Sequence, residues 1–332
     1  MSSFRKFLLR RSLTFLPTIF GVVLITYLIA YAIPADPVRA WAGGEKAKPE
    51  VIERLREYYH FDRPWYEQFY YFLVRLFEGS LISPRTGNTV FADIATRFSV
   101  TLQLALFSIF FAILIGLPLG LLAAYKRDTK IDTAVRILAL IGVSMPVFLL
   151  GYLLILVFFT QFRVITLAGV PTSKVIITGI PLIDSIITLD FESLSQIVGR
   201  YWLPGFVLGF TGAGIIARFV RNSTVETLGA DFVEYLSAKG IPTNWARRHV
   251  FKNSLVPIVT IIGLQFGAAL SGAPITETIF GLPGLGAYAV QSIYYLDFPA
   301  IIGTTFVFAI IYVTTNFIVD VLYALIDPRV RY

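Results

Sequence analysis

The fold is decided by residues 98–125, FSVTLQLALFSIFFAILIGLPLGLLAAY, a run of 28 residues without Asp, Glu, Lys or Arg. A helix needs about 20 apolar residues to cross the hydrocarbon core of a bilayer. The run is therefore long enough to span a membrane as one helix, with several residues to spare.

The whole chain has the same character. Of its 332 residues, 56% are hydrophobic and 15% are charged, and the mean hydropathy is +0.73. A soluble domain carries about 25% charged residues. The absence of cysteine excludes disulfides and thiolate metal sites. These values exclude a disordered chain, a disulfide scaffold and an ordinary globular enzyme, and they predict an all-α, multi-pass membrane protein.

Five further stretches resemble the first in length and apolarity. Backbone groups inside a bilayer must be hydrogen-bonded within the segment, so we interpret all six as helices. The stretch nearest the N-terminus, residues 12–35, is too long for the apolar core of a signal peptide, which indicates a retained span. The predicted spans are residues 12–35, 98–125, 137–162, 201–220, 253–276 and 298–319.

Two weaker apolar stretches contain glycine and proline. Residues 175–189 are short and interrupted, and we do not expect them to span. Residues 278–296 contain three glycines and one proline within six positions, which a continuous helix does not tolerate. We expect a broken, partly re-entrant segment there.

The distribution of charge predicts the orientation. With the N-terminus inside, the segments 1–11, 126–136, 218–252 and 320–332 hold 16 Lys and Arg against 7 Asp and Glu. The remaining segments hold 12 basic and 14 acidic residues. Because positive residues favour the cytoplasmic side, both termini are predicted to be cytoplasmic.

Two segments are then external. In 36–97 we expect helices at Pro49–Tyr59 and Trp65–Phe77, and the second is rich in Trp, Tyr and Phe. Such residues favour a helix at the membrane–water boundary, although a stacking platform for a sugar or peptide has the same composition. In residues 163–200 we expect a small hairpin. No motif there indicates a chemical function.

The cytoplasmic segment 221–252 has a distinct pattern. Residues 230–239 predict a short amphipathic helix, Gly240 a helix stop, and residues 245–253 a second helix that continues into the fifth span. This pattern indicates a compact knob on the cytoplasmic face. The alternative is a solvated basic turn that faces lipid headgroups.

The sequence contains no motif by which the chain could drive transport itself. It has no G-x-x-x-x-G-K-[ST] phosphate loop and no motif of a serine hydrolase, zinc protease or EF-hand. The central parts of the spans lack ionisable residues, which disfavours a proton- or ion-coupled secondary transporter or a channel. A membrane-embedded enzyme is disfavoured further, since no nucleophile–base or metal constellation occurs. Uphill transport would therefore draw its energy from another chain.

Residues 234–240, EYLSAKG, resemble the "EAA" loop of ABC importer permeases, with Glu first and Gly last. Tyr235 and Leu236 depart from the paired alanines of the consensus, while Ala238-Lys239-Gly240 is similar to the dipeptide/oligopeptide subgroup. Other stretches in the same order resemble that subgroup's motifs. They are residues 33–38 (IPADPV), 61–64 (FDRP), 101–105 (TLQLA), 277–286 (ETIFGLPGLG), 297–299 (DFP) and 320–331 (DVLYALIDPRVR).

The resemblance implies a type I ABC importer permease in the cell membrane. Its expected partners are a second homologous permease, two cytosolic P-loop ATPases that hold ATP and magnesium, and an external substrate-binding protein. The chain itself is expected to need no cofactor or metal and to catalyse no reaction. The cargo implied is a di- or oligopeptide, with oligosaccharides or nickel chelates as alternatives.

The resemblance also implies two candidate sites. The first is the contact with the ATPases, which we assign to Glu234, Ala238, Lys239 and Gly240. The second is the external mouth of the translocation pathway, for which a plain tight loop is the alternative. Its residues are Phe280, Pro283, Gly284, Leu285 and Gly286.

Overall fold

The computed structural model describes residues 13–32, 37–42, 44, 47–162 and 169–326. Residues 33–36 of the motif at 33–38, the two ends 1–12 and 327–332 (with the last part of the motif at 320–331), and residues 163–168 lie outside that description. Within it the chain is helical. The helices are α1 (Phe15–Ala32), α2 (Pro37–Trp41), α3 (Pro49–Tyr59), α4 (Trp65–Glu78), α5 (Val90–Tyr125), α6 (Lys130–Ser144), α7 (Val147–Ile155), α8 (Pro181–Ile187), α9 (Phe191–Leu228), α10 (Asp231–Ala238), α11 (Thr243–Leu270), α12 (Pro274–Ile279), α13 (Leu285–Tyr294) and α14 (Phe298–Ile326).

Four of the described helices, α5, α9, α11 and α14, are long and apolar enough to cross a membrane. The bent pair α6 and α7 makes a fifth candidate if it forms one span. In α1 the apolar part is Phe15–Tyr31, which is shorter than the other candidates. The helical fold class is confirmed, while the count of six spans stays a prediction.

The third predicted span, 137–162, is not one straight helix. α6 ends at Ser144, Pro146 precedes α7, and the two parts meet at 93°. A residue before proline is pushed out of the helical region, and Met145 has φ −74° and ψ 123°. The chain then continues from α7 into a π-helical turn, Leu156–Gln161. The predicted segment is helical on both sides of a break at Pro146 that was not predicted from the sequence, and whether the bent pair crosses a membrane stays a prediction.

The centre of the molecule is the parallel pair α5 and α9, which pack through small residues. A Cβ on Gly209 would lie 2.5 Å from the Ser108 carbonyl oxygen, and one on Gly116 would lie 2.7 Å from the Ala213 carbonyl oxygen. Glycines spaced four apart let two helix backbones approach closely, as they do between membrane helices. The same spacing recurs in α11 at Gly263 and Gly267, against α14. The helix bundle is therefore held by close contacts between the backbones of neighbouring helices.

The predicted helices of the 36–97 segment are confirmed as α3 and α4. One face of α4 buries Phe69 and Phe72 against Tyr27 of α1, with ring centroids 4.9 and 5.1 Å apart. Trp41 is fully buried in the same aromatic cluster. The opposite face of α4 leaves aromatic rings exposed, at Trp65, Tyr66, Tyr70 and Phe77. Whether that face lies at a membrane surface stays a prediction.

The expected hairpin in residues 163–200 is wrong for the part that the structure describes. Residues 169–180 form no strand, and α8 and the start of α9 follow. The loop is closed by Asp184, whose carboxylate accepts from the Thr178 N–H at 2.7 Å and the Thr178 hydroxyl at 2.6 Å. Burial alone would raise the pKa of Asp184, but these hydrogen bonds lower it below its usual value.

Candidate functional site

The first candidate site is the knob, residues 230–240, which contains α10 and its C-terminal stop. Glu234, Ala238, Lys239 and Gly240 are all exposed. No residue of α10 is buried. A short helix normally depends on tertiary packing for stability. The predicted helix is present, and the predicted contact residues lie on a surface that the described chain leaves uncovered.

The stop at Gly240 has a defined geometry. Gly240 lies in the left-handed region, at φ +70°. Its N–H donates to the Ser237 carbonyl at 3.0 Å, and the Ile241 N–H donates to the Leu236 carbonyl at 3.1 Å. These two bonds form a Schellman motif, which satisfies the last carbonyls of the helix. The turn directs the chain back toward α11 and sets the angle of the knob.

The two helices that flank the knob are joined by hydroxyl hydrogen bonds. The Ser254 hydroxyl on α11 donates to the Thr227 hydroxyl oxygen on α9 at 3.0 Å. The Ser223 hydroxyl donates to the Ser254 carbonyl at 3.2 Å. Ser254 is fully buried. These bonds hold α9 and α11, the helices on either side of α10, to each other.

Basic side chains lie over aromatic rings around the knob. The Lys239 Nζ is 4.7 Å from the centre of the Tyr235 ring. The Arg247 guanidinium is 5.1 Å from the ring of Tyr125, the last residue of α5. Cation–π contacts at exposed sites contribute about 0.5–1 kcal/mol each. The first contact orients a cationic group on the knob surface, and the second connects the start of α11 to the end of α5.

The second candidate site is the pinned segment, residues 280–286, which separates α12 from α13. Gly281 has φ +60°, and the helix resumes only at Leu285. The expected break in the helix is therefore confirmed. Of the five predicted pathway residues, Pro283 is exposed, and the other four, Phe280, Gly284, Leu285 and Gly286, are buried within the chain.

Glu277 and Thr101 hold one side of the pinned segment. The Thr101 hydroxyl donates to Glu277 Oε1 and accepts from the Leu285 N–H, both at 2.8 Å. Glu277 Oε2 accepts from the Ala287 N–H at 2.8 Å. Burial raises the pKa of Glu277, and these hydrogen bonds counteract part of that rise. A carboxylate fully removed from solvent thus organises the backbone where the helix resumes.

Arg200 of α9 holds the other side. Its guanidinium donates to the carbonyls of Phe280 and Gly281, at 2.8 and 3.0 Å, and to the Gly169 carbonyl at 2.9 Å. The side chain is buried, at 4% exposure. In the sequence Arg200 is one of the 12 basic residues of the segments predicted to be external, and no motif marks it. The available signal was its position directly before the fourth span, since an ionisable residue beside apolar spans is costly without partners.

Asp297 fixes the start of α14. Its carboxylate accepts from the Ala300 N–H at 3.1 Å and from the Ser83 hydroxyl. An aspartate in this position satisfies free N–H groups at a helix N-terminus. Burial raises the pKa of Asp297, against the lowering by Ser83 and Ala300. The carboxylate joins the loop before α5 to the last span.

A cleft of about 170 Å³, lined mainly by apolar residues, lies between α5, α9 and α11, near the start of α7, and is called the polar cleft for the three polar side chains that line it. Ser108, Thr211 and Gln265 contribute its polar side chains, one from each long helix. The buried Thr211 hydroxyl has no hydrogen-bond partner within the described structure. A buried polar group without a partner costs about 1–3 kcal/mol, and such groups are common where water or a ligand binds. Gly272 and Ala273 also line the cleft, directly before α12 and the pinned segment.

The residues that the structure describes contain no group of three or more His, Asp or Glu side chains that could hold a metal ion. The polar cleft offers hydroxyl and amide groups, which suit hydrogen bonding to an organic solute better than metal coordination.

Comparison with known proteins identifies relatives along the whole chain. The family model "Binding-protein-dependent transport system inner membrane component" matches residues 116–332, and the model of the corresponding N-terminal region matches residues 4–105. The chain is 38% identical over 320 residues to the probable D,D-dipeptide transport system permease protein of Escherichia coli K12, covering 93% of each chain. It is 35% identical to the dipeptide transport system permease protein of Alkalihalophilus pseudofirmus, covering 98% of each. Identity to the glutathione transport system permease protein of Escherichia coli O6:H1 is 33%, covering 98% of this chain and 99% of the relative.

Proposed function

The chain belongs to the family of binding-protein-dependent transport system inner membrane components, and from that premise we propose that it forms half of the pore of an ATP-driven importer of short peptides. It is a multi-pass permease subunit of a binding-protein-dependent system. The observation that carries the proposal is the knob. An uncovered short helix, stopped by Gly240 and joined to two long helices, suits a contact that receives force from another subunit.

Peptide cargo is supported by the relatives. Two of those compared above are named for dipeptide or D,D-dipeptide transport and cover at least 93% of this chain. Oligosaccharides and nickel chelates remain the alternatives from the sequence, and no described side chain favours them. The polar cleft supports a peptide path, since Ser108, Thr211 and Gln265 present donors and acceptors that suit amide groups.

The partners follow from the same premise. We infer a second permease subunit, two cytosolic P-loop ATPases that bind ATP and magnesium, and an external binding protein that delivers the cargo. Glu234, Ala238, Lys239 and Gly240 are the proposed ATPase contact. Phe280, Pro283, Gly284, Leu285 and Gly286 are the proposed external mouth, held closed by Arg200 and Glu277 through hydrogen bonds to the backbone.

In the proposed cycle a movement at the cytoplasmic end of the bundle is coupled to a movement at its external end. The knob lies beyond Tyr125 at one end of α5, and the pinned segment lies beside Thr101, 24 residues earlier and therefore about 36 Å away along the helix. Closure of the ATPases would push α10 and tilt α9 and α11 as rigid bodies. Because Arg200 is on α9, the same tilt would change its hold on the carbonyls of Phe280 and Gly281.

Reconstitution tests this function. The chain is co-expressed with the second permease and the two ATPases inferred above, and the complex is placed in proteoliposomes with the cognate binding protein. We expect uptake of a labelled dipeptide that requires ATP and the binding protein. Uptake driven by an ion gradient without ATP would contradict the importer class. ATP-dependent uptake of a labelled oligosaccharide or nickel chelate in place of the peptide would contradict the cargo alone.

A further inference from the structure

A groove between α5, α6 and α9 has no part in the function proposed above. Its wide mouth, of about 350 Å³, is basic on one side and apolar on the other. We call this feature, with its narrow continuation, the arginine groove. The mouth is lined by Ala123, Val135, Arg136, Ala139, Leu140, Ala217, Arg218, Arg221 and Asn222.

The mouth carries excess positive charge. The fully buried carboxylate of Asp132 accepts from Arg221, at 2.8 and 3.3 Å, and is 3.5 Å from Arg136. One carboxylate therefore serves two arginines. Arg218 is exposed, and it has no hydrogen-bond or ion-pair partner in the portion of the chain described. Arg136 is also largely exposed, at 55% of its side chain.

Behind the mouth the groove becomes narrow and wholly apolar. Val135, Ala139 and Ala217 line both parts, so the two are continuous. The remaining walls run further along the same three helices. They are Ile115, Leu119, Leu138, Phe210, Ala213 and Gly214. The narrow part itself holds only about 10 Å³, so the hydrocarbon chain of an anion held at the mouth would lie over the apolar outer edge of the groove, at the exposed side chains of Leu138 and Leu140.

The mouth coincides with the boundary of the apolar spans. Arg136 directly precedes the third predicted span, which begins at residue 137, and Arg221 directly follows the fourth, which ends at residue 220. The basic groups therefore lie at headgroup depth if these helices cross a bilayer. Basic pockets between membrane helices at this depth are suited to anionic lipid headgroups.

We infer that the arginine groove binds one anionic phospholipid, with its phosphate on Arg136 and Arg218 and an acyl chain along the exposed side chains of Leu138 and Leu140. Guanidinium groups recognise phosphate through several N–H donors in a fixed plane. Arg221 has a positioning role, because its bidentate pair with Asp132 holds α6 against α9 and keeps the mouth open. A free phosphate ion would use the same donors but would gain nothing from the apolar part.

Native mass spectrometry of the full-length chain, alone and in the complex that co-purifies with it, tests this inference. The purified protein is titrated with phosphatidylglycerol and with phosphatidylcholine of the same acyl chains. The variant Arg136→Gln with Arg218→Gln is compared with a control, Arg247→Gln with Arg248→Gln, which removes the same charge from exposed positions outside the groove. Elution of each variant as a single species verifies folding.

We expect wild type and the control to prefer phosphatidylglycerol, and the groove variant to lose about fivefold in affinity for each arginine removed. Leu138→Gln, which places a polar group in the narrow part, should weaken lipid binding as well. Equal losses in the groove variant and the control would overturn the site, as would equal binding of the two lipids by wild type. Displacement of the lipid by millimolar inorganic phosphate would reassign the site to a free anion. Loss of lipid binding in the complex would show that a partner subunit covers the groove.

Discussion

At the scale of single residues, Gly240 determines how the knob ends. Its φ of +70° is a conformation that costs an L-residue with a side chain about 1–2 kcal/mol. The site has open space around it, since a Cβ there would meet no atom within 4 Å. A side chain at this position would therefore strain the backbone without clashing with a neighbouring atom. Gly229 flanks the other end of α10 with φ −85° and has no such constraint.

We predict that Gly240→Val lowers ATP-dependent peptide uptake about 5- to 30-fold, the factor that corresponds to 1–2 kcal/mol, while ATP hydrolysis by the complex continues. The reason is that a β-branched residue disfavours the left-handed turn and misdirects the knob. Gly229→Ala is the matched control and should keep both activities. Uptake and hydrolysis are measured in the same proteoliposomes. Normal uptake by Gly240→Val would contradict the role of the knob in coupling.

At the scale of helices, close backbone contacts hold the bundle and hydrogen bonds hold the pinned segment. The α5–α9 pair depends on glycines whose Cβ positions are already occupied by the neighbouring helix. The pinned segment depends on Thr101, Arg200 and Glu277, which come from three different helices. The first arrangement is rigid packing. The second consists of a few hydrogen bonds that a helix tilt can break.

The close packing of α9 on α5 predicts that two glycines of α9 respond differently to substitution. Gly209→Ala should lower the thermal unfolding temperature in detergent, because its Cβ would lie 2.5 Å from the Ser108 carbonyl oxygen and overpacking costs about 1–3 kcal/mol. Gly199→Ala is the control on the same helix, since a Cβ there meets nothing within 4 Å. It should leave stability unchanged or raise it by up to about 1 kcal/mol through helix propensity. Equal unfolding temperatures for the two variants would refute close packing of α5 on α9.

A second prediction concerns the pinned segment. The chain has no native cysteine, so single cysteines report accessibility directly. Pro283→Cys, at the exposed position, should react with a membrane-impermeant thiol reagent, and its rate should change when peptide-loaded binding protein and ATP are added. Leu282→Cys, at a buried position, should react slowly in the resting state. Labelling of Pro283→Cys at one rate in every transport state would favour a plain tight loop.

At the scale of the whole molecule, the charge balance and the helix order predict both termini in the cytoplasm. That orientation places α3 and α4 outside and α10 inside. We expect an impermeant thiol reagent added to intact cells to label Glu78→Cys, at the exposed end of α4, and to leave Glu226→Cys unlabelled until the membrane is permeabilised. Both side chains are exposed, so folding should be unaffected. The opposite labelling pattern would invert the topology and place the knob outside.

Much of this organisation could be predicted because its causes are local in the chain. Apolar runs of membrane length, the glycine stop at 240 and the glycine–proline break at 281–286 each act through the backbone of neighbouring residues. The break before α7 is also local, at Pro146, yet Pro118, Pro204 and Pro257 lie inside continuous helices. A proline alone does not decide between a break and a tolerated kink, since neighbouring helices can satisfy the freed carbonyl.

By itself, the sequence determined the helical class, the apolar spans, the knob and the family motifs. Only the tertiary structure decided that Arg200 holds carbonyls 80 residues away, that Ser108, Thr211 and Gln265 share one cleft, and that three arginines meet above an apolar groove. The physical reason is that helix formation depends on residues a few positions apart. Burial and pairing of polar groups depend on which helix faces meet, and that is set by close packing through small residues of the folded chain.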